Sequence, residues 1–484
     1  MLTQQDIEKI IRDTSVALAG ESPVTVRTGA DAGNSAARPV SMQGNGWMFV
    51  TVDEAVAAAK KAQQILQHSI TLEQRGRIIS SIREHSLQNA KYLAELAHNE
   101  TGYGSVEHKI LKNRLAAEKT PGLEDLQTQA FSGDDGITLV EQAPFGVIGS
   151  ITPSTNPTAT VINNSISMIA AGNAVVFNPH PAAKHASQEA MRIVNEAVIA
   201  AGGPNGLVCC IAEPTMETGL QIMKHKDIPI LSITGGEAVV ATAMTAGKRV
   251  IAAGPGNPPV IVDDTANIAS AAKIIVDGAS FDNNVLCVAE KEVFAFSSIA
   301  DRLMAEMEKN GAFRIYGEDI QKVVNTVLVK KDNGQYVINR KYVGHDATLI
   351  LRDSGVNYTG NPRLVIAEVD RNHPFIMVEM LMPVLGIARV SDIDEAIRES
   401  VRAEKGCHHS AMIHSSNIHN MTAAASALNT TIFVKNGPSY AGLGFGGEGF
   451  TTLTIATPTG EGLTSARTFT RARRCVVRGD LRVI

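Results

Sequence analysis

Between Val147 and Ala252 the hydrophobic pattern switches period again and again, and this alternation restricts the fold more than any other feature of the chain. Short apolar runs at 147–151, 174–177, 207–211, 230–233 and 250–252 read as strands. Between them, 158–170, 182–200, 215–224 and 237–246 carry helical spacing. Strands separated by whole helices cannot close as hairpins. They need crossover connections, and hence a doubly wound α/β architecture with a parallel sheet.

Ligands of such sheets bind at the carboxyl ends of the strands, and here those ends are unusual in composition. The first strand runs into Thr152-Pro153-Ser154-Thr155-Asn156-Pro157 and the second into Asn178-Pro179-His180-Pro181. The fourth runs into Thr234-Gly235-Gly236-Glu237 and the fifth into Gly254-Pro255-Gly256-Asn257-Pro258-Pro259. The 234–236 turn opens a helix, so its backbone donors can face a phosphate. Four such turns on one sheet edge point to a nucleotide.

A second strand and helix series runs from Ala289 to about Thr431, with a strand at 291–295, a helix at 299–310 and an apolar segment at 379–388. At its head stands Gly278-Ala-Ser-Phe-Asp-Asn-Asn-Val-Leu-Cys287. A lone thiol with amide neighbours, at the mouth of a strand and at the junction of two lobes, is placed to act as a nucleophile. Cys209 and Cys210 lie inside an apolar run and read as core. Neither they nor Cys407 and Cys475 have metal-ligand spacing, and five cysteines in 484 residues make no disulfide framework.

Other features bound the partners. A net charge of −5 offers no general attraction to nucleic acid or anionic membrane. No apolar run approaches the ~18 residues of a membrane span and no signal-peptide core is seen, so the reading is cytoplasmic. Residues 1–18 form a short amphipathic helical pattern, and 19–46 have linker composition, which suggests a docking element on a tether. From Val52 the pattern is helical for some 65 residues, with a capping box expected at Thr71–Gln74. The stretch 136–142 alternates like an exposed strand. The basic tail, with Arg467, Arg471, Arg473, Arg474, Arg478 and Arg482, reads as a strand at a subunit contact. Gly442-Leu-Gly-Phe-Gly-Gly447 matches the dinucleotide fingerprint, but Thr451 to Ile455 after it is strand-like. It therefore reads as a flexible, tightly packed loop instead of a phosphate loop.

Phe281-x-Asn283-x-x-x-Cys287, Thr234-Gly-Gly-Glu and Glu379-x-x-x-Pro383-Val together resemble the aldehyde dehydrogenase superfamily over nearly all of 47–484. Thr152-Pro-Ser-Thr-Asn-Pro, Ala253-Gly-Pro-Gly-Asn-Pro-Pro, Phe433-Val-Lys-Asn-Gly-Pro and Thr459-Gly-Glu-Gly-x-Thr-Ser-Ala-Arg bring it closest to the CoA-acylating branch found in bacterial microcompartments. The resemblance implies two doubly wound lobes plus a small β oligomerisation element. Its division would be an encapsulation-type helix at 1–18, a linker at 19–46, an NAD-binding domain at 47–253 (with 121–142 contributing to oligomerisation), a catalytic domain at 254–436 and a return segment with an oligomerisation strand at 437–484. It implies Cys287 as nucleophile, Asn156 as oxyanion donor and His409 as handler of the CoA proton. Thr152, Pro153, Ser154, His180, Gly235, Gly236, Glu379 and Pro383 would contact NAD. The co-substrates would be CoA and a short-chain aldehyde, propanal or ethanal. Shell proteins would be partners through 1–18, and the assembly a dimer of dimers.

Hydrolytic members carry a Glu where this chain has Ala252. Water, with a pKa near ~15.7, needs a base to attack a thioester. A thiol of pKa about 8.5 needs far less help. Loss of the carboxylate therefore favours transfer to CoA. The competing readings are a hydrolytic semialdehyde dehydrogenase and a non-catalytic shell-associated scaffold.

Overall fold

The computed structural model describes residues 46–482. The expected amphipathic helix at 1–18 and all but the last residue of the linker lie outside the described residues.

The first sheet has six parallel strands in the order Met48–Phe49, Val208–Ile211, Ala174–Pro179, Val147–Thr152, Ile230–Thr234, Arg249–Ala253. Five are the expected ones. Met48–Phe49 pairs with Cys210 and Ile211, and two residues are too few to carry a period. Chain direction across the sheet reverses between Val147–Thr152 and Ile230–Thr234, so the crevice between the 152–156 and 234–236 turns is the topological switch point. Phe177, Ile148, Cys209 and Cys210 are fully enclosed in the core. Helices Val52–His68, Leu72–Gln88, Ala90–Thr101 and Val106–Lys119 stand between the edge strand Met48–Phe49 and the other five. The capping box falls elsewhere than expected. Thr71 accepts from the Gln74 N–H, but the Gln74 side chain donates to the Gly202 carbonyl at 3.2 Å. Reciprocal pairs form instead at Thr51 with Glu54, Thr215 with Thr218 and Ser465 with Thr468.

The second sheet has seven parallel strands, in the order Ala312–Ile315, Leu364–Glu368, Val384–Val390, Glu292–Phe296, Pro259–Val262, Ser410–His414, Ile432–Lys435. It begins at Pro259, well before the expected Ala289. The Gly254–Pro258 turn is thus the crossing from one sheet to the other. That crossing brings the edge of the first lobe against the head of the second.

A third, antiparallel sheet joins Gln129–Gly133, Gly136–Pro144 and Thr470–Arg478. The two strands expected at a subunit contact pair first with each other, Arg474 opposite Val140 and Arg478 opposite Gly136. Phe131 and Val476 both face Thr138 in register and remain 59% and 63% exposed. The glycine-rich 442–447 stretch is no phosphate loop: a 3-10 turn, Ser439–Leu443, precedes it and no helix follows. Lys119 Nζ donates to the carbonyls of Gly444 at 2.6 Å and Gly447 at 3.1 Å, so the loop presents acceptors to a cation. Of the strand expected at 451–455, only Ile455 joins one, Ile455–Ala456.

Candidate active site

The nucleophile loop owes its amide-rich sequence to its backbone. Asp282, Asn283 and Asn284 have φ of 49°, 52° and 64°, a full left-handed turn. Such a conformation costs roughly 1–2 kcal/mol per L-residue, less for Asn and Asp, whose side chains bond locally. Here each is anchored. Asn283 Nδ2 donates to Gly344 O at 3.0 Å and to Asp346 Oδ1 at 2.8 Å. Asn284 Nδ2 donates to the carbonyls of Ala279 at 2.8 Å and Glu290 at 2.9 Å. The turn leads from helix Ile268–Ser280 to Cys287, whose side chain is half-buried.

Asp282 is fully enclosed and meets two lysines from helix Val106–Lys119, Lys109 at 3.2 Å and Lys112. Burial alone would raise its pKa, yet the two ammoniums and the Ser105 N–H at 2.9 Å hold it below the usual carboxylate range. Lys112 also donates to Asn156 Oδ1 at 2.5 Å. Burial brings the Lys112 pKa down to about 8, against the pull of Asp282. Asn156 is the N-cap residue of helix Pro157–Ala170 but makes no side-chain cap bond. With Oδ1 taken, Nδ2 is its remaining donor, and among the described residues it meets only Thr155 Oγ1, at 3.4 Å.

On the other side of the loop Lys291, 1% exposed, donates to Asn284 Oδ1 at 2.5 Å, Leu286 O at 2.8 Å and Asn284 O at 3.2 Å. Glu379 accepts from the Gly256 N–H at 3.4 Å; burial raises it to about 7 despite Lys291. The Cys287 thiol is pushed up to about 12, first by burial and then by Glu379, while Lys291 and the N–H groups of Cys287 and Val288 favour the thiolate. Because the side chain is only half-buried, water moderates that shift. In the protein alone, Cys287 is a protonated thiol at neutral pH.

Gly256, in the crossing, packs onto Cys287. A Cβ there would lie 2.9 Å from Cys287 O and 2.8 Å from His409 Cγ, so only glycine fits. His409 is fully buried, with Nδ1 2.9 Å from Ser410 Oγ and Nε2 without a partner among the described residues. Burial, then Lys291, lowers its pKa to about 4, leaving a neutral ring.

At the switch point, Thr152 is 1% exposed with its Oγ1 unpartnered among the described residues, and Pro153 and Ser154 are half-buried along the crevice. Gly236 caps helix Glu237–Met244 at φ −67°, and a Cβ there would meet nothing within 4 Å. The fold does not demand glycine at that position. It leaves open space at a helix N-terminus beside Gly235, a setting that fits a dinucleotide phosphate. His180 is exposed and its Nδ1 accepts from Ala182 N at 3.1 Å. Pro383 is buried and its carbonyl accepts from Val365 N at 2.9 Å, which fixes the entry to the strand Val384–Val390. Ala252 is fully buried, its N–H donating to Thr459 Oγ1 at 3.0 Å, and it presents a methyl group only.

The structure thus gathers Cys287, Asn156, Glu379 and His409 around one crossing. Sequence reasoning missed Lys109, Lys112 and Lys291. On a helix with only a weak apolar stripe, two lysines three apart look like solvated surface, and Lys291 looks like the polar start of a strand.

The aldehyde dehydrogenase family model matches residues 49–455. The acetylating acetaldehyde dehydrogenase EutE of Salmonella typhimurium is 48% identical over 100% of both chains. A propionaldehyde dehydrogenase from the fucose utilisation bacterial microcompartment of Clostridium phytofermentans superposes with a TM-score of 0.87 at 49% identity, over 90% of this chain and 99% of that one. The Rhodopseudomonas palustris propionaldehyde dehydrogenase, solved with bound CoA and an acylated cysteine, gives 0.87 at 47% identity over 90% and 98%. With its switch-point crevice, its lone thiol at the crossing of two parallel sheets and these matches along nearly its whole length, the chain belongs to the aldehyde dehydrogenase family.

Proposed function

We propose that this protein is a CoA-acylating aldehyde dehydrogenase that converts a short-chain aldehyde, propanal or ethanal, with NAD+ and CoA into acyl-CoA and NADH. The observation that carries the acylating reading is Ala252. A buried methyl group stands where hydrolysis would need a carboxylate to activate water. The relatives at 47–49% identity bear acylating, propionaldehyde or CoA-bound descriptions in keeping with it.

Cys287 gives its proton to water and its sulfur adds to the aldehyde carbonyl, forming the C–S bond of a thiohemiacetal as the C=O π pair moves onto oxygen. The oxygen, now an anion, is held by the Cys287 N–H and Asn156 Nδ2. NAD+, when bound at Thr152, Pro153, Ser154, Gly235, Gly236 and His180 with Glu379 toward its nicotinamide ribose, supplies the hydride acceptor. An acyl thioester remains on Cys287. The CoA thiolate then attacks the acyl carbon, the bond to Cys287 breaks and acyl-CoA leaves, a ping-pong order. The full burial of His409 favours a supporting place behind the loop over direct exchange with the CoA thiol.

The docking role of 1–18 toward shell proteins, and with it a location inside a microcompartment, is part of this proposal. The same holds for a dimer of dimers built through the three-stranded sheet. That sheet has Phe131 and Val476 exposed beside Arg471, Arg473 and Arg474, apolar area that a second copy would cover. The domain division at 47–253, 254–436 and 437–484 is likewise proposed, and it follows the two sheets.

NADH formation from propanal, with and without CoA, tests the reading on the intact protein and on Cys287→Ala. Steady turnover that needs CoA and vanishes in the variant supports it. Steady turnover without CoA would mean that another group activates water, and the acylating reading would fall.

A further inference from the structure

Each donor proposed for the oxyanion is one end of an amide, and in this structure a buried ammonium occupies the other end of both. Lys112 Nζ donates to Asn156 Oδ1 at 2.5 Å, and Nδ2 is the remaining donor of that amide. Lys291 Nζ donates to Leu286 O at 2.8 Å, and Leu286 O belongs to the peptide whose N–H is that of Cys287. In a trans peptide the C=O and N–H point in opposite directions, so a cation fixed on the carbonyl fixes the N–H toward the other side.

We infer that Lys112 and Lys291 are positioning residues for the oxyanion hole, Lys112 aiming and polarising the Asn156 amide and Lys291 the Leu286–Cys287 peptide. The inference rests on the oxyanion roles given above to Asn156 and Cys287. A charge-assisted bond to an amide oxygen fixes the flip of the amide and strengthens its N–H as a donor. Both ammoniums are at most 5% exposed, so water does not compete for them. They are held from different directions. Lys112 is anchored by Asp282, itself bound by Lys109 and faced by His108, while Lys291 is anchored by Asn284. Lys109 donates to the Asp282 carboxylate and not to Asn156, which makes it the control for that anchor.

The test is a double-mutant cycle on the first-turnover rate of NADH formation from propanal in the full-length protein, with melting temperature measured alongside. Asn156→Ala should slow that turnover roughly 100- to 1,000-fold. Lys112→Met should slow it about 10- to 100-fold, and in the Asn156→Ala background should add no more than about 2-fold, because the amide it aims is gone. Lys291→Met serves the other donor and should keep most of its effect in that background. Lys109→Met should lower the melting temperature about as much as Lys112→Met does, with less than about 3-fold loss of rate.

Should Lys112→Met not fold, Lys112→Arg keeps the charge beside Asp282 with a planar fork in place of a point donor. It should show the same non-additivity with Asn156→Ala. Multiplying effects of Lys112 and Asn156 substitutions, or a Lys109→Met loss equal to that of Lys112→Met, would overturn the inference. A negligible loss in Asn156→Ala would overturn it too, while CoA-dependent turnover lost in Cys287→Ala would still stand and leave the proposed function intact.

Discussion

The cofactor edge and the nucleophile loop lie on either side of one crossing and are built by opposite means. The cofactor edge works by space and backbone: an open glycine at a helix N-terminus, a free hydroxyl on Thr152, and turns that bring main chain up to a ligand. The nucleophile loop works by enclosed charge. Asp282, Glu290, Lys291 and Glu292 lie within about ten residues of one another, all at most 1% exposed, with Lys109 and Lys112 against them. Under the proposed function, one region binds a molecule that brings its own reactive ring. The other must shift the chemistry of a thiol and an amide, and burial makes a charge count for much more than it would in water.

The comparison can be broken most sharply at Asn156. If the loop acts through aimed amides, Asn156→Ala loses roughly 100- to 1,000-fold in turnover with an unchanged fold, read by first-turnover NADH formation. A loss below about threefold would place the oxyanion elsewhere.

The cofactor edge makes the next largest prediction. In Gly236→Val the added Cβ meets no atom within 4 Å, so the melting temperature should fall only by what the loss of a glycine N-cap costs, a few degrees at most. The KM for NAD+ should nevertheless rise about 10-fold or more, since the added atoms fill the helix N-terminus. An unchanged KM would remove the phosphate from that turn.

Glu379 joins the two regions and allows a smaller test with a definite sign. Its carboxylate is among the causes that raise the Cys287 thiol. Glu379→Gln should therefore speed iodoacetamide alkylation of Cys287 in the protein without cofactor, about 3- to 10-fold at pH 8. Glu379 titrates at about 7, so by pH 5.5 the parent is already protonated there and the two rates should converge. A constant ratio from pH 5.5 to pH 8 would mean that the substitution acts by packing and not by charge.

The same contrast explains what could be seen from sequence. Turns at the cofactor edge are contiguous stretches of Gly, Pro, Thr and Asn, so Thr152–Asn156 and Thr234–Gly236 announced themselves, as did the five strands feeding them. Cys287 stood out because its neighbours are amides, and the structure gives the reason in three left-handed residues. Lys112 and Asn156 are 44 positions apart, and no local pattern links a helical lysine to an amide in a turn. Similarly, Pro259 was read as the end of a turn and Val260 to Val262 were given no element, because three apolar residues after a proline-rich turn are too few to carry a period, and this put the start of the second sheet too late.

Glu292 gives the smallest effect and the strictest check on enclosed charge. Both its oxygens lack a hydrogen-bond partner among the described residues, and burial raises its pKa well above 4.5, with Lys291 and Lys405 opposing and Glu404 and Glu379 reinforcing. Below the unfolded pKa, near 4.5, the carboxyl is protonated in both states and costs nothing. Above it the unfolded chain ionises while the folded one stays protonated, so stability is lost as pH rises toward the folded pKa. Glu292→Gln removes that titration while keeping the shape. Its melting temperature, scanned at a fixed rate, should exceed the parent's at pH 8 by on the order of 1–2 °C. The advantage should shrink to nothing near pH 4.5. A difference that ignores pH would show that Glu292 is ionised in the fold and that a cation not among its present neighbours compensates it.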